Sequence, residues 1–239
     1  MNFPHVSSSA SKSIAIRLLG TLRISIENRP ITQFEANTSR ALLAYLITHR
    51  DPQPREFLAQ LLWANQENGL VNLRAALTRL RESVGDKDAQ APLLLAERQT
   101  IQINPDLSLW TDIIEFETEL EKVKKHRHRR VESCPICISR LTHLAHLIQG
   151  EFLLDVYVNS MPFEEWLLSQ REHYRRLSVQ ILNVLTNYHL KWENYTEAEH
   201  YARRQLQLEP WRETAHQQLM RALFESGQRT VALTQFKAC

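Results

Sequence analysis

The chain has 239 residues, enough for two small domains or one large one, and its 43% hydrophobic and 23% charged residues exclude a chain disordered throughout. A formal net charge of +2 says nothing about a partner, so any nucleic-acid surface must come from local clustering. The five glycines (Gly20, Gly69, Gly85, Gly150 and Gly227) are dispersed, which excludes the clustered-glycine phosphate loops of P-loop and dinucleotide-binding proteins. Three cysteines, Cys134, Cys137 and Cys239, make no disulfide framework and suit a reducing cytoplasm. Ser-rich Met1–Ser13 lacks an apolar signal-peptide core and reads as a flexible tail. The longest apolar run, Ala41 to Ile47, is far short of the ~20 residues that span a bilayer. The expectation is a soluble, cytoplasmic protein with no membrane partner.

Ile14 to Asn28 reads as strands. Ile14, Ile16 and Leu18 alternate with Ala15 and Arg17; beyond Gly20, Leu22, Ile24 and Ile26 alternate with Arg23, Ser25 and Glu27. Asn28-Arg29-Pro30 is a turn signal, with Ile31 to Phe34 as a third short strand. The spacing then becomes helical. Leu42, Leu43, Leu46 and Ile47 form one stripe, with Thr38 or Ser39 as N-cap, and Asp51-Pro52-Gln53-Pro54 stops the helix. A second helix spans Arg55 to Trp63 with Phe57, Leu58, Leu61 and Leu62 inward. After a polar break from Ala64 to Gly69, a third helix spans Leu70 to Val84. It turns Leu73, Leu77, Leu80 and Val84 inward and ends at Gly85. Leu93–Leu95 and Ile101–Ile103 flank Ala96–Thr100 as a terminal β-hairpin, and Asn104-Pro105-Asp106 closes the unit. Strands, helix, helix–break–helix and hairpin follow the order of a winged helix-turn-helix behind a small sheet. The alternative is an α+β domain with no nucleic-acid role.

The second half reads as all helical, at Asp112–Lys125, Ile138–Gln149, Phe163–Trp192, Thr196–Leu208 and Arg212–Glu225, with a further start at Gln228. Ala198 and Ala232, Ala202 and Phe236, and Leu185 and Leu219 are each 34 residues apart, with Pro210 closing the first unit. A 34-residue period with small residues at a helix crossing is the tetratricopeptide signature. Two degenerate repeats do not make an array, so the earlier helices must cap the stack. The five tryptophans (Trp63, Trp110, Trp166, Trp192 and Trp211) read as packing anchors.

On the third helix, Arg74, Thr78 and Arg81 lie at i, i+4 and i+7, with Asn72, Ala75 and Arg79 on neighbouring positions. Such a face offers guanidinium groups to base edges and phosphates, while small Ala75 permits close approach. Arg98, in the hairpin tip Glu97–Thr100, is the natural wing contact. The bland readings are a solvated helix face and an ordinary polar turn. Lys122 to Arg130, KVKKHRHRR, reads as a solvated linker facing Glu115, Glu117, Glu119 and Glu121, with DNA phosphates as the alternative contact. Beyond it, Cys134-Pro135-Ile136-Cys137 can join His126 and His128 in one structural zinc site. His143 and His146 are alternative donors. The spacing matches no standard finger, and no βαβ pattern supports a redox C-x-x-C. No metalloprotease or nucleophile-elbow motif is present, so no enzyme and no other cofactor is expected.

IRLLGTLRISIENRPIT, SRALLAYLI, EFLAQLLW and NLRAALTRLRESVG, followed by WTDIIEFETEL, GEFL, FEEWLLSQRE and EPWRETAHQQLMRALFESGQRTVALTQF, resemble the antibiotic-regulatory-type (SARP) transcriptional activators. The resemblance implies an OmpR-type winged helix over residues 14–110. It implies a tetratricopeptide-like bacterial transcriptional activator domain over residues 111–239. It further implies an activator that binds promoter DNA through Leu70–Val84, recruits RNA polymerase near Ala64–Gly69, and pairs as a homodimer on direct repeats. Arg74 stands where relatives often carry Gln, and the C-x-x-C is not a general family feature. The chain stops at Cys239 inside what reads as the last repeat helix, so the helical half reads as truncated. The competing expectation is a tetratricopeptide-like interaction scaffold that binds no DNA.

Overall fold

A computed structural model describes residues 13–31, 36–86, 89 and 91–238. It divides into two compact units. One comprises Met1–Thr111 with Asp155–Leu167, the other Asp112–Leu154 with Leu168–Cys239. The architecture is an α+β winged helix-turn-helix and an all-α, tetratricopeptide-like unit. The tail expected at Met1–Ser13 lies outside the described residues except for Ser13.

In the first unit, β1 (Ile14–Arg17) and β2 (Arg23–Ile26) pair antiparallel, with Ile14 opposite Ile26 and Ile16 opposite Ile24. This register puts Ile14, Ile16 and Ile24 on the buried face. A two-residue turn at Glu27 (φ 50°) and Asn28 (φ 63°) then reverses the chain into β3 (Arg29–Pro30). Positive φ at both central residues gives the twist a tight hairpin needs. The turn therefore sits one residue earlier than Asn28-Arg29-Pro30, and the third strand is Arg29–Pro30. Of the strand expected at Ile31–Phe34, Thr32 to Phe34 lie outside the described residues.

Helix α1 (Asn37–Thr48) follows, with Ala41 to Ile47 all buried. Its N-cap is Ala36, not Thr38 or Ser39. The Ser39 hydroxyl is buried and donates to the Ala76 carbonyl at 3.1 Å instead. Short β4 (Gln53–Pro54) leads into α2 (Arg55–Trp63) and α3 (Gly69–Ser83). On α2, Leu58, Leu61 and Leu62 are buried as expected, whereas Phe57 is exposed and Trp63 takes its place in the core. On α3, Leu73, Ala76, Leu77 and Leu80 form the buried stripe; each leucine so buried stabilises by about 1.5–3 kcal/mol. Gly85 (φ 68°) ends α3 in the left-handed region that favours glycine. The Asp86 carboxylate accepts from the Leu93 and Leu94 N–H groups at 2.7 and 2.9 Å, fixing the start of the wing to the end of α3.

The wing is β5 (Leu94–Ala96) antiparallel to β6 (Thr100–Ile103), with β4 on its other edge in the order β4-β6-β5. Strand β7 (Leu109–Thr111) then pairs parallel with β1, completing the sheet β3-β2-β1-β7. Residues 155–167 belong to this same unit. Asp155 accepts from the Leu22 N–H at 2.9 Å and forms an ion pair with Arg40. Ser160 donates to the Leu61 carbonyl at 2.7 Å, and Trp166 packs on Tyr45 and Phe163.

The second unit contains α4 (Asp112–Lys125), a 3-10 turn (Val131–Ser133), α5 (Pro135–Leu147), most of α6 (Met161–Lys191), α7 (Tyr195–Leu208), α8 (Glu213–Glu225) and α9 (Arg229–Ala238). The small residues meet where the 34-residue period puts them. Ala202 packs with Leu219, Leu223 and Ala232, and Ala198 with Leu190 and Ala222. Phe236, at the position matching Ala202, is exposed instead. Gln205 is fully buried and donates to the Thr186 hydroxyl and the Gln218 side-chain Oε1, a polar tie inside the stack. Arg204 donates to the Ala145 and Ile148 carbonyls, capping the open end of α5. Trp192 and Trp211 are 63% and 74% exposed, so neither anchors the core. Among the described residues, no helix is long and apolar enough to cross a membrane.

Candidate nucleic-acid interface and metal-ligand cluster

Because Leu73, Ala76, Leu77 and Leu80 occupy the inner face of α3, helical geometry turns Val71, Arg74, Ala75, Thr78 and Arg79 outward. All five are exposed. Their spacing of i, i+3, i+4, i+7 and i+8 makes one continuous stripe with two guanidinium groups, a hydroxyl and two small apolar side chains. Among the described residues, no carboxylate pairs with Arg74 or Arg79. Thr78 donates to the Arg74 carbonyl at 3.0 Å within the helix.

Two expected residues depart from this stripe. Arg81 is half-buried and donates to the Leu94 carbonyl at 3.4 Å, so it braces the wing rather than pointing outward with Arg74 and Thr78. Helical phase alone keeps Arg81 within about 20° of Arg74; it turns inward because the Leu94 carbonyl of β5 lies beside this end of α3 and takes up its guanidinium. Asn72 is half-buried and donates to Gln66 at 2.6 Å, tying the start of α3 to the break before it.

Arg98 is exposed at the tip of the β5–β6 hairpin. Between that tip and α3 runs an open groove of about 510 Å³ lined by Arg55, Glu56, Arg74, Thr78, Glu97 and Arg98, among others. Arg55 is the residue that sequence reasoning missed. Its N–H and Nε donate to the Gln99 and Glu97 carbonyls, both at 2.9 Å, which pins the wing loop. Burial first, then the like charges of Arg74 and Arg81, lower its pKa, while Glu56 opposes them. Mutual repulsion of this kind marks a place where an anion would be favoured. No local motif announces Arg55, because its neighbours Arg74 and Glu97 are remote in sequence.

Within the basic run Lys122–Arg130, the three lysines lie on the last turn of α4 and are paired. Lys122 pairs with Glu119 at 2.6 Å, and Lys124 and Lys125 pair with Glu121 at 2.9 and 3.7 Å. Its two histidines turn back instead. His126 Nδ1 lies 3.2 Å from Cys137 Sγ and 3.4 Å from Cys134 Sγ, and His128 Nδ1 lies 3.5 Å from Cys137 Sγ. The four donor atoms all lie within 4.8 Å of one another. Cys134 is the N-cap of α5 and Cys137 sits in its first turn, so the helix itself puts both sulfurs on one side. Backbone N–H groups at that helix start, that of Cys137 foremost, pull the Cys134 thiol down, while burial and the neighbouring sulfur push Cys137 up to about 11. The alternative donor His143 is engaged elsewhere, 2.5 Å from Glu115, and His146 is exposed.

Residues 111–239 match the family described as the bacterial transcriptional activator domain, a family of transcription regulators. No curated protein matches the chain. Among solved structures, Mycobacterium tuberculosis EmbR, in complex with a low-affinity phosphopeptide, is similar in fold. The TM-score is 0.68 at 19% identity over 95% of this chain, which spans 58% of that chain. The winged-helix order, the helical stack and the match over more than half the chain agree with the resemblance carried by the sequence. The chain belongs to the bacterial transcriptional activator domain family.

Proposed function

We propose that this protein is a sequence-specific DNA-binding transcriptional activator of the cytoplasm. Helix α3 enters the major groove and presents Arg74, Ala75, Thr78 and Arg79, together with Val71. Arginine suits guanine O6 and N7, while Val71 and Ala75 suit thymine methyl groups. Arg98 and Arg55 contact the backbone, Arg98 from the wing and Arg55 from the groove beside it. Asn72 and Arg81 hold the helix and wing in position rather than reading bases. The helical unit, with the Ala64–Gly69 connection, serves RNA polymerase recruitment, and the chain acts as a homodimer on direct repeats.

The observation that carries this reading is the exposed stripe on α3, with two arginines that pair with no carboxylate among the described residues. On α4 the lysines pair with glutamates one turn away, whereas among the described residues Arg74 and Arg79 pair with no carboxylate. The test is footprinting on promoter fragments upstream of the neighbouring operon, with transcription by purified polymerase as second readout. Wild type should protect a discrete site and raise transcription from it, and Arg74→Ala combined with Arg79→Ala should lose both. A scaffold without DNA affinity would protect nothing, even at low salt.

A further inference from the structure

We propose that His126, His128, Cys134 and Cys137 form a structural zinc site that locks the α4–α5 connection. The chain approaches it from two sides. The His126 N–H donates to the Lys122 and Val123 carbonyls at 3.1 and 3.3 Å, so this ligand is held on the end of α4. The 3-10 turn closes the return, with the Cys134 N–H donating to the Val131 carbonyl at 3.1 Å. Cys134 and Cys137 then lie on the first turn of α5, where Pro135 fits the opening helical position.

The distances match a tetrahedron. Zinc bonds of about 2.3 Å to sulfur and 2.0–2.1 Å to nitrogen imply sulfur–nitrogen edges of about 3.6 Å. Three of the four sulfur–nitrogen separations here are 3.2, 3.4 and 3.5 Å, and all four donor atoms lie within 4.8 Å of one another. Thiols are weak hydrogen-bonding groups, so two imidazoles converging on two sulfurs gain little without a cation between them. Two thiolates and two imidazoles are the donor set of closed zinc sites and disfavour calcium and magnesium, which take oxygen. Four protein ligands leave no open coordination position, so the ion holds structure and performs no chemistry. Among the described residues, no other group of histidine, cysteine and acidic side chains gathers in this way. Its effect is to draw Arg127, Arg129 and Arg130 into a short fixed loop between two helices.

The experiment uses the full chain. Purified without chelator, wild type should carry one zinc per chain by elemental analysis, and His126→Ala and Cys134→Ser should carry far less. Metal-depleted wild type titrated with cobalt(II) should show a thiolate-to-cobalt charge-transfer band and the intense visible bands of tetrahedral cobalt. That readout does not depend on any variant folding. A strong chelator should lower the melting temperature of wild type and leave that of His126→Ala unchanged. The proposal is overturned if the chain carries no stoichiometric zinc and cobalt gives no thiolate band. A Cys134–Cys137 disulfide in metal-free, cobalt-silent protein would also overturn it, in favour of a redox pair.

Discussion

Arg74 and Arg79 on α3 and Lys122, Lys124 and Lys125 on α4 are both runs of helical cations, and they differ in what faces them. The lysines stand one turn from Glu119 and Glu121 and are paired along their own helix. The arginines stand beside Ala75 and Thr78; Arg74 shares a groove with Arg55, Arg98, Glu56 and Glu97, and among the described residues neither arginine forms an ion pair. In the linear sequence the lysine run is the more conspicuous of the two. Composition counts charges, whereas the field a partner meets depends on which charges are already satisfied.

Five substitutions or conditions sharpen this contrast, beginning with the two faces of α3. Leu73 is fully buried, so Leu73→Ala should cost about 2–5 kcal/mol of stability in urea unfolding of the N-terminal unit. One position on, Arg74→Ala should leave the unfolding midpoint nearly unmoved. It should instead cost about 1–3 kcal/mol of affinity for one DNA sequence, read by competition binding. Arg81→Ala should invert that pattern, lowering stability through the lost contact to Leu94 and weakening DNA binding only as the wing loosens.

A smaller effect is expected at Asp155. Burial raises its pKa, but hydrogen bonds from Arg40 and the Leu22 N–H outweigh burial and hold it below the ordinary carboxylate range. Its stabilising contribution is therefore present above the unfolded value of about 3.9 and is lost as pH falls through the lower folded value. Trp166 fluorescence should report loosening of residues 155–167 from the N-terminal unit in that acid range, and Asp155→Asn should remove this pH dependence. Smallest of all, Lys124→Ala with Lys125→Ala should leave both the unfolding midpoint and DNA affinity unchanged, since exposed pairs contribute little.

Much of this fold is legible because its signals are local. Alternation in Ile14–Ile26, the leucine spacing of α1 to α3 and the 34-residue period each depend on residues within a few turns of one another. What escaped depends on distant partners. Strand β7 exists because it pairs with β1, at the other end of the unit in sequence. Strand β4 contains a proline and only two residues, so nothing before the pairing with β6 marks it. Residues 155–167 join the first unit through Arg40 and Leu61, which no composition shift announces. The candidate interface divides the same way. Helical phase alone places Arg74, Ala75, Thr78 and Arg79 outward, but the inward turn of Arg81 requires β5, and Arg55 requires the wing. For the cysteine cluster, the sequence puts His126 and His128 first with His143 and His146 as alternatives, and the path of the loop brings His126 and His128 to the two sulfurs.

The most direct measurement is fluorescence anisotropy of a promoter duplex over a series of salt concentrations. It compares wild type, the α3 double variant Arg74→Ala/Arg79→Ala, and the α4 double variant Lys124→Ala/Lys125→Ala. The predicted result is tight wild-type binding that weakens linearly in log salt, a shallower slope and lost sequence preference for the α3 variant, and wild-type behaviour for the α4 variant. Unchanged binding by the α3 variant together with loss in the α4 variant would contradict the account.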